Sequence, residues 1–225
     1  MKKIIGFISI STLLIFFMAC SDEESSWSAA DTCPADGYNV YGMPNRGTFV
    51  DERDGQEYSY MTIGNQVWME DNLNIQSSRS VCYEYNDENC ALYGRLYALQ
   101  YGAIKKGTID STYGFLNYDM VDTICPAGWH VPTMREWDTL VVNMDGVGNV
   151  KKDRCLSVTK YGNTGYGSSY YIENEINFHK NGKKWWTQTM YSGEGWALLF
   201  DVTSDSPNYN YPINQGYVSI RCIKD

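Results

Sequence analysis

Histidine is scarce in this 225-residue chain, with only His130 and His179 present. That leaves little for histidine-based catalysis or metal binding. No Gly-x-Ser-x-Gly nucleophile elbow accompanies either histidine, which argues against serine-hydrolase chemistry of that type. Basic residues are also few, 18 Lys and Arg against 27 Asp and Glu. An acidic surface of this kind repels phosphate backbones, so a nucleic-acid partner is not expected. No two cysteines lie two to four residues apart, which excludes the usual zinc spacings. Beyond the N-terminus no apolar run is long enough to span a bilayer. No EF-hand loop is present, and no internal repeat.

The first twenty residues stand apart. Lys2 and Lys3 precede an apolar run from Ile4 to Phe17, then Met18, Ala19 and Cys20. A basic start, a short apolar core and a small residue before the cut describe a secretory signal. Phe17-Met18-Ala19-Cys20 resembles the lipobox of bacterial lipoproteins, in which the cysteine is acylated and becomes the first residue. The resemblance implies a signal peptide over 1–19 and a lipid at Cys20. Three acyl chains, at about 0.8 kcal/mol per buried CH₂, would hold the chain at a membrane. An ordinary signal peptide with Cys20 in its flank is the alternative. Ser21 follows the cysteine, so the inner-membrane retention signal of enteric bacteria is absent. Asp22-Glu23-Glu24 resembles the export signal of surface lipoproteins, or is simply a solvated linker. The implied location is the outer membrane at the cell surface, with the periplasmic face as the alternative. Loss of residues 1–19 leaves 16 basic against 27 acidic residues, a formal charge of −11.

Six cysteines remain: Cys33, Cys82, Cys90, Cys125, Cys155 and Cys222. An even number in an exported chain reads as three disulfides, with 15 connectivities open to counting alone. Cys82 and Cys90 flank a polar loop and suit a local clasp.

Residues 20–32 read as an acidic tether, and 20–46 as tether plus lead-in. Phe49-Val50, Tyr58 to Ile63 and Gln66 to Met69 read as strands, with turns at Asp54-Gly55 and Gly64-Asn65. Tyr93 to Lys106 reads as a helix. Thr133 to Asn143 reads as another, with Thr133 and Glu136 as a capping box and Trp137, Leu140 and Val141 on one face. Residues 161–169 read as loop, and His179 as part of an exposed turn. Trp185 to Gln188, Trp196 to Val202 and Tyr217 to Ile223 read as strands. Together these predict one α+β domain from about residue 33 to 225.

Four motifs carry a family resemblance: Ile63 to Asn74, Cys90 through Tyr97, Cys125 to Thr133 with Glu136-Trp137, and Ser219 to Cys222. In this order they resemble the Fibrobacter succinogenes major paralogous (FISUMP) domain, here over residues 47–225. Members are typically exported, often as lipoproteins, and their biochemical role is not established. Gly128 to Thr133 with Glu136-Trp137 is similar, more distantly, to a segment of sulfatase-modifying, formylglycine-generating enzymes. That likeness implies a compact, loop-rich, disulfide-stapled C-type-lectin-like fold. It also implies a Cys125–Cys222 bridge, leaving Cys33–Cys155 by exclusion. Those enzymes use a reactive cysteine pair near the C-terminal part of the site. Trp185 to Tyr217 contains no cysteine, so the redox activity does not carry over.

Catalysis is therefore not expected, nor a cofactor or a metal. His130 reads as structural. Glu84, Asp87, Glu88, Asp201 and Asp205 read as solvated acids, although lectin-like domains often hold calcium with such groups. The 19 tyrosines are the informative excess. Tyr161, Tyr166, Tyr170 and Tyr171 lie in a Gly/Ser/Asn-rich stretch of paratope-like composition, and Tyr209 and Tyr211 form a second patch. Aromatic faces with amides suit sugar rings. Trp68, Trp129, Trp137 and Trp186 read as core. The expected function is a non-catalytic binding or adhesion module, its ligand a polysaccharide or a surface protein. A structural envelope lipoprotein is the second reading and an uncharacterised hydrolase the third.

Overall fold

The computed structural model describes residues 27–78, 80–98, 123–151, 155, 168–172, 175–179, 184–191, 196–201, 206, 208–210 and 217–225. The first-half elements are α1 (Ala29–Thr32), β1 (Arg46–Val50), β2 (Glu57–Ile63), β3 (Gln66–Met69), β4 (Ser80–Val81), α2 (Asp87–Tyr93) and β5 (Leu96–Ala98). Next come β6 (Trp129–His130), α3 (Met134–Asn143), α4 (Val147–Lys151), β7 (Ser168–Ile172) and β8 (Glu175–His179). The last are β9 (Lys184–Tyr191), β10 (Trp196–Asp201), β11 (Asn208–Asn210), β12 (Tyr217–Ser219) and β13 (Ile223–Lys224). The class is α+β, with two sheets and three disulfides.

The β2–β3 hairpin forms as the turn residues dictate. Ile63 faces Gln66 across Gly64-Asn65, and Gly64 has a φ of 60°. A side chain at Gly64 would collide with the Asn143 carboxamide. The hairpin is buried on both faces. Tyr58, Tyr60, Val67 and Met69 enter one apolar cluster, and Met61, Ile63 and Trp68 enter the other. A strand buried on both faces reads as a continuous apolar run rather than an alternating one. Trp137 of α3 stacks on Phe200 with ring centres 4.4 Å apart and lies 4.7 Å from Trp68. All four tryptophans expected in the core are buried.

One sheet has the order β1-β2-β3-β13-β6. The other runs β11-β10-β9-β12-β5-β4, with β7 against β12 and β8. The expected single strand from Tyr217 to Ile223 is in fact two. β12 lies antiparallel to β5 and parallel to β9, while β13 lies between β3 and β6. Between them Ile220, Arg221 and Cys222 cross from one sheet to the other, all buried. Cys222 is bonded to Cys125 at this crossing.

Four other expectations are corrected. The helix read from Tyr93 to Lys106 is not formed over its described part. Tyr93 ends α2, Gly94 turns the chain with a φ of 74°, and Leu96 to Ala98 form a buried strand. Pairing with β12, far along the chain, overrides local helix preference there. The tether read through residue 32 stops earlier. Trp27 donates its indole N–H to the Asn143 carbonyl at 2.9 Å, and Thr32 O accepts from Gly64 N at 2.7 Å. The lead-in is fastened further by Cys33–Cys155 and by Arg46, which donates to Cys155 O at 2.8 Å. Ser168 and Ser169, read as loop, begin β7 and pair with His179 and Phe178. His179, read as a turn residue, closes β8.

Candidate functional site

A groove of about 610 Å³ lies where three segments converge. These are the turn after β1, the stretch after β3, and α2 with Arg95, two residues past its end. The turn is built by Asp51. Its backbone N–H donates to Gln56 O and its carbonyl accepts from Gly55 N, both at 2.8 Å. Its carboxylate accepts from the Arg53 guanidinium at 2.7 and 2.9 Å. Burial pushes the Asp51 carboxyl pKa up, but hydrogen bonds and charge from Arg53 outweigh it and leave it below the ordinary value. Arg53 also donates to Thr123 O at 3.0 Å, so its guanidinium is held as a fixed wall of the groove.

Asn74, Ile75 and Gln76 form the second wall. Asn74 N donates to the buried Tyr58 hydroxyl at 3.0 Å, and Gln56 donates to Asn74 O at 3.4 Å. The Asn74 side-chain oxygen is buried and makes no hydrogen bond among the described residues. Asp87, Cys90, Ala91 and Arg95 form the third wall. Asn86 caps α2 by accepting from Glu88 N, and Cys82–Cys90 clasps the helix to the preceding turn. Gly94 makes the wall possible. A side chain there would lie 2.8–2.9 Å from Asn72 and Leu73 atoms, and only glycine lets Arg95 N donate to Leu73 O at 3.0 Å. Three carboxamides, two guanidinium groups and two carboxylates thus surround the half-buried Ile75.

His130 lies elsewhere, at the end of β6 and against Glu136 in the first turn of α3. Its Nε2 is 2.9 Å from Glu136 Oε1 and its Nδ1 is 2.7 Å from Asp225 Oδ1. Both ring nitrogens are thus engaged by carboxylates, the geometry of a clamp. The hydrogen bond to Glu136 raises the His130 pKa, burial opposes it, and Asp225 adds to the rise. The other Glu136 oxygen accepts from Thr133 N at 2.7 Å and Thr133 Oγ1 at 2.8 Å, completing the capping box. Among the described residues no group of three His, Cys, Asp or Glu is placed to hold a metal ion.

The Fibrobacter succinogenes major domain family matches residues 61–224. The chain belongs to this family. The match to the Fibrobacter succinogenes major domain takes in every motif that suggested it, from Ile63 to Cys222. No curated protein and no solved structure matches the chain, and the likeness to the C-type-lectin-like fold rests on sequence motifs alone. The Asp51–Gln56 turn of the groove lies N-terminal to the matched region, whereas the Asn74 and α2 walls lie inside it.

In this Fibrobacter succinogenes major domain chain no tyrosine lines the groove among the described residues. Tyr161, Tyr166 and Tyr211 lie outside the described residues, as does Cys20. Tyr170 and Tyr171 belong to β7, opposite Asn177 and Ile176 of β8. Tyr209 is half-buried. Its hydroxyl donates to Asp138 Oδ1 at 2.6 Å, with Met134 O at 3.1 Å, and its ring lies 5.7 Å from Phe200. Burial, then the Asp138 carboxylate, pushes the Tyr209 pKa up. This hydroxyl pins β11 to α3 and is not free for a ligand. Arg53, Gln76 and Arg95 were not selected from sequence. Asp51-x-Arg53 and Gly94-Arg95 are the local signals that mark two of the three walls.

Proposed function

We propose that the chain is a lipid-anchored, non-catalytic binding module of the bacterial outer surface whose groove takes a hydroxyl-rich, glycan-type ligand. The groove carries this reading. Carboxamides and carboxylates at Gln56, Gln76, Asp54 and Asp87 offer donors and acceptors to vicinal hydroxyls, and Ile75 offers an apolar surface to a ring face. Arg53 and Arg95 widen the ligand class to sugars bearing a carboxylate. The lipobox-like Cys20 and the acidic stretch after it support placement at the cell surface.

Two experiments test this. Radiolabelled palmitate should enter the wild-type chain and not Cys20→Ala, and label retained by the variant would refute the anchor. A glycan array probed with the chain from Ser21 should give hits that Arg95→Ala and Gln76→Ala each weaken by about 1–2 kcal/mol with melting temperature unchanged. Hits indifferent to both substitutions would remove the groove as the site. An array with no hits at high micromolar protein would remove the glycan.

A further inference from the structure

Six large apolar side chains stand exposed among the described residues: Tyr38, Val40, Tyr41, Val50, Tyr85 and Val142. Three of them occupy one tight loop. Tyr38 bridges to Pro44, Asn39 N donates to Met43 O at 2.8 Å, and Gly42 N donates to Asn39 O at 3.0 Å. The Asn39 carboxamide oxygen accepts from Tyr41 N and Met43 N, while its nitrogen donates to Thr62 Oγ1 at 3.3 Å. The loop is therefore held to the end of β2 at Thr62, with Tyr38 and Val40 each about three-quarters exposed. Nothing in its internal bonding requires tyrosine or valine at the tip.

The same end of the β2–β3 hairpin receives the chain from its N-terminus. Trp27 donates to Asn143 O, and the Asn143 carboxamide donates to Ile63 O, next to Thr62. Only seven residue steps separate Cys20 from Trp27. Fully extended, they reach about 25 Å. The fold cannot stand further than that from a lipid on Cys20. Tyrosine, with an apolar ring and a polar tip, is a residue favoured at membrane–water interfaces.

We infer that the Tyr38–Tyr41 loop rests in the headgroup layer of the bilayer that holds the Cys20 lipid, fixing the orientation of the domain. This rests on the lipid-anchor reading above. The loop precedes the first residue of β1, and the groove turn follows its last. A five-residue strand spans about 17 Å, so the loop and the groove turn lie at opposite ends of β1. The acidic Asp22-Glu23-Glu24, with exposed Asp31 and Asp36, disfavours anionic lipid, so the surface it fits is zwitterionic.

The test is hydroxyl-radical labelling of tyrosines in the lipidated chain on phosphatidylcholine vesicles, read by peptide mass spectrometry. The Cys20→Ala chain, mixed with the same vesicles, is the reference. Labelling of Tyr38 and Tyr41 should fall several-fold on the vesicles while the exposed Tyr85 is unchanged. Val40→Asp should restore labelling of Tyr41 without loss of flotation. A chain that floats with the vesicles yet labels equally at Tyr38 and Tyr41 would keep the anchor and overturn the inference. A chain that does not float would overturn both. Protection that appears without vesicles and grows with protein concentration would assign the loop to self-association and overturn the inference alone.

Discussion

The Trp185 indole N–H donates to the Asn72 side-chain oxygen at 2.9 Å, tying β9 to the segment that follows β3. The same oxygen accepts from Arg221 Nη2 at 3.3 Å, and the Asn72 nitrogen donates to Tyr93 O at 2.9 Å. Arg221 in turn stands over the Trp185 ring, 5.2 Å from its centre. One buried carboxamide thus joins both sheets and the end of α2. Asn72→Ala should destabilise the domain by about 2–3 kcal/mol, because buried donors lose their acceptor. Urea denaturation measures it, and a loss under about 0.5 kcal/mol would show that the donors find other partners.

Gly94→Ala should cost at least about 2 kcal/mol. The residue combines a positive φ with contacts closer than a methyl group tolerates. The Arg95 wall should shift with it, so any ligand affinity of the groove should fall more than Ala91→Ser makes it fall. Equal effects on affinity would detach the groove from this turn.

The His130 clamp makes stability depend on pH. The His130 pKa is raised above its ordinary 6.5, so its contribution is complete below that value and is lost as pH rises through the raised one. The Glu136 carboxyl is pushed up by burial but drawn further down by His130 and Thr133. Its contribution is complete above the ordinary 4.5 and is lost as pH falls through the lowered value. Melting temperature should therefore plateau between about 4.5 and 6.5 and decline towards neutral and alkaline pH. His130→Gln should flatten the alkaline decline, and an unchanged profile in that variant would assign the decline to other groups.

Cys33→Ser with Cys155→Ser should cost about 3–5 kcal/mol, since the bridge closes a long loop. Proteolysis should then begin in the lead-in before residue 46, because the bridge and the Arg46–Cys155 hydrogen bond hold that segment. Cutting that starts elsewhere would show that Trp27 and Thr32 hold it unaided.

Features that depend on neighbouring residues were legible in the sequence. Gly64-Asn65 makes its hairpin, and Thr133 with Glu136 makes its capping box, because each is settled within four residues. The clasp of Cys82 and Cys90 is also local, with a sequence separation of 8. Leu96 to Ala98 carries no local strand signal because the partner that makes it a strand lies at Tyr217 to Ser219. The break at residues 220–222 is illegible for a related reason. Sheet switching leaves no periodic mark in a short segment whose every residue is buried. The groove was hidden because Arg53, Gln76, Asp87 and Arg95 meet only after three segments have folded together.

The crossing from β12 to β13 also bears on the order of events in making the protein. Val218 pairs with Tyr97, and Ile223 pairs with both Trp68 and His130. Until these residues arrive, β3 and β5 each keep an open edge, the kind of surface that mispairs. Ribosomes deliver a chain from its N-terminus, so both sheets wait for β12 and β13, which are made after every strand they join. Both closures are therefore made by one short segment, on either side of the Ile220–Cys222 crossing, and the two sheets are completed together.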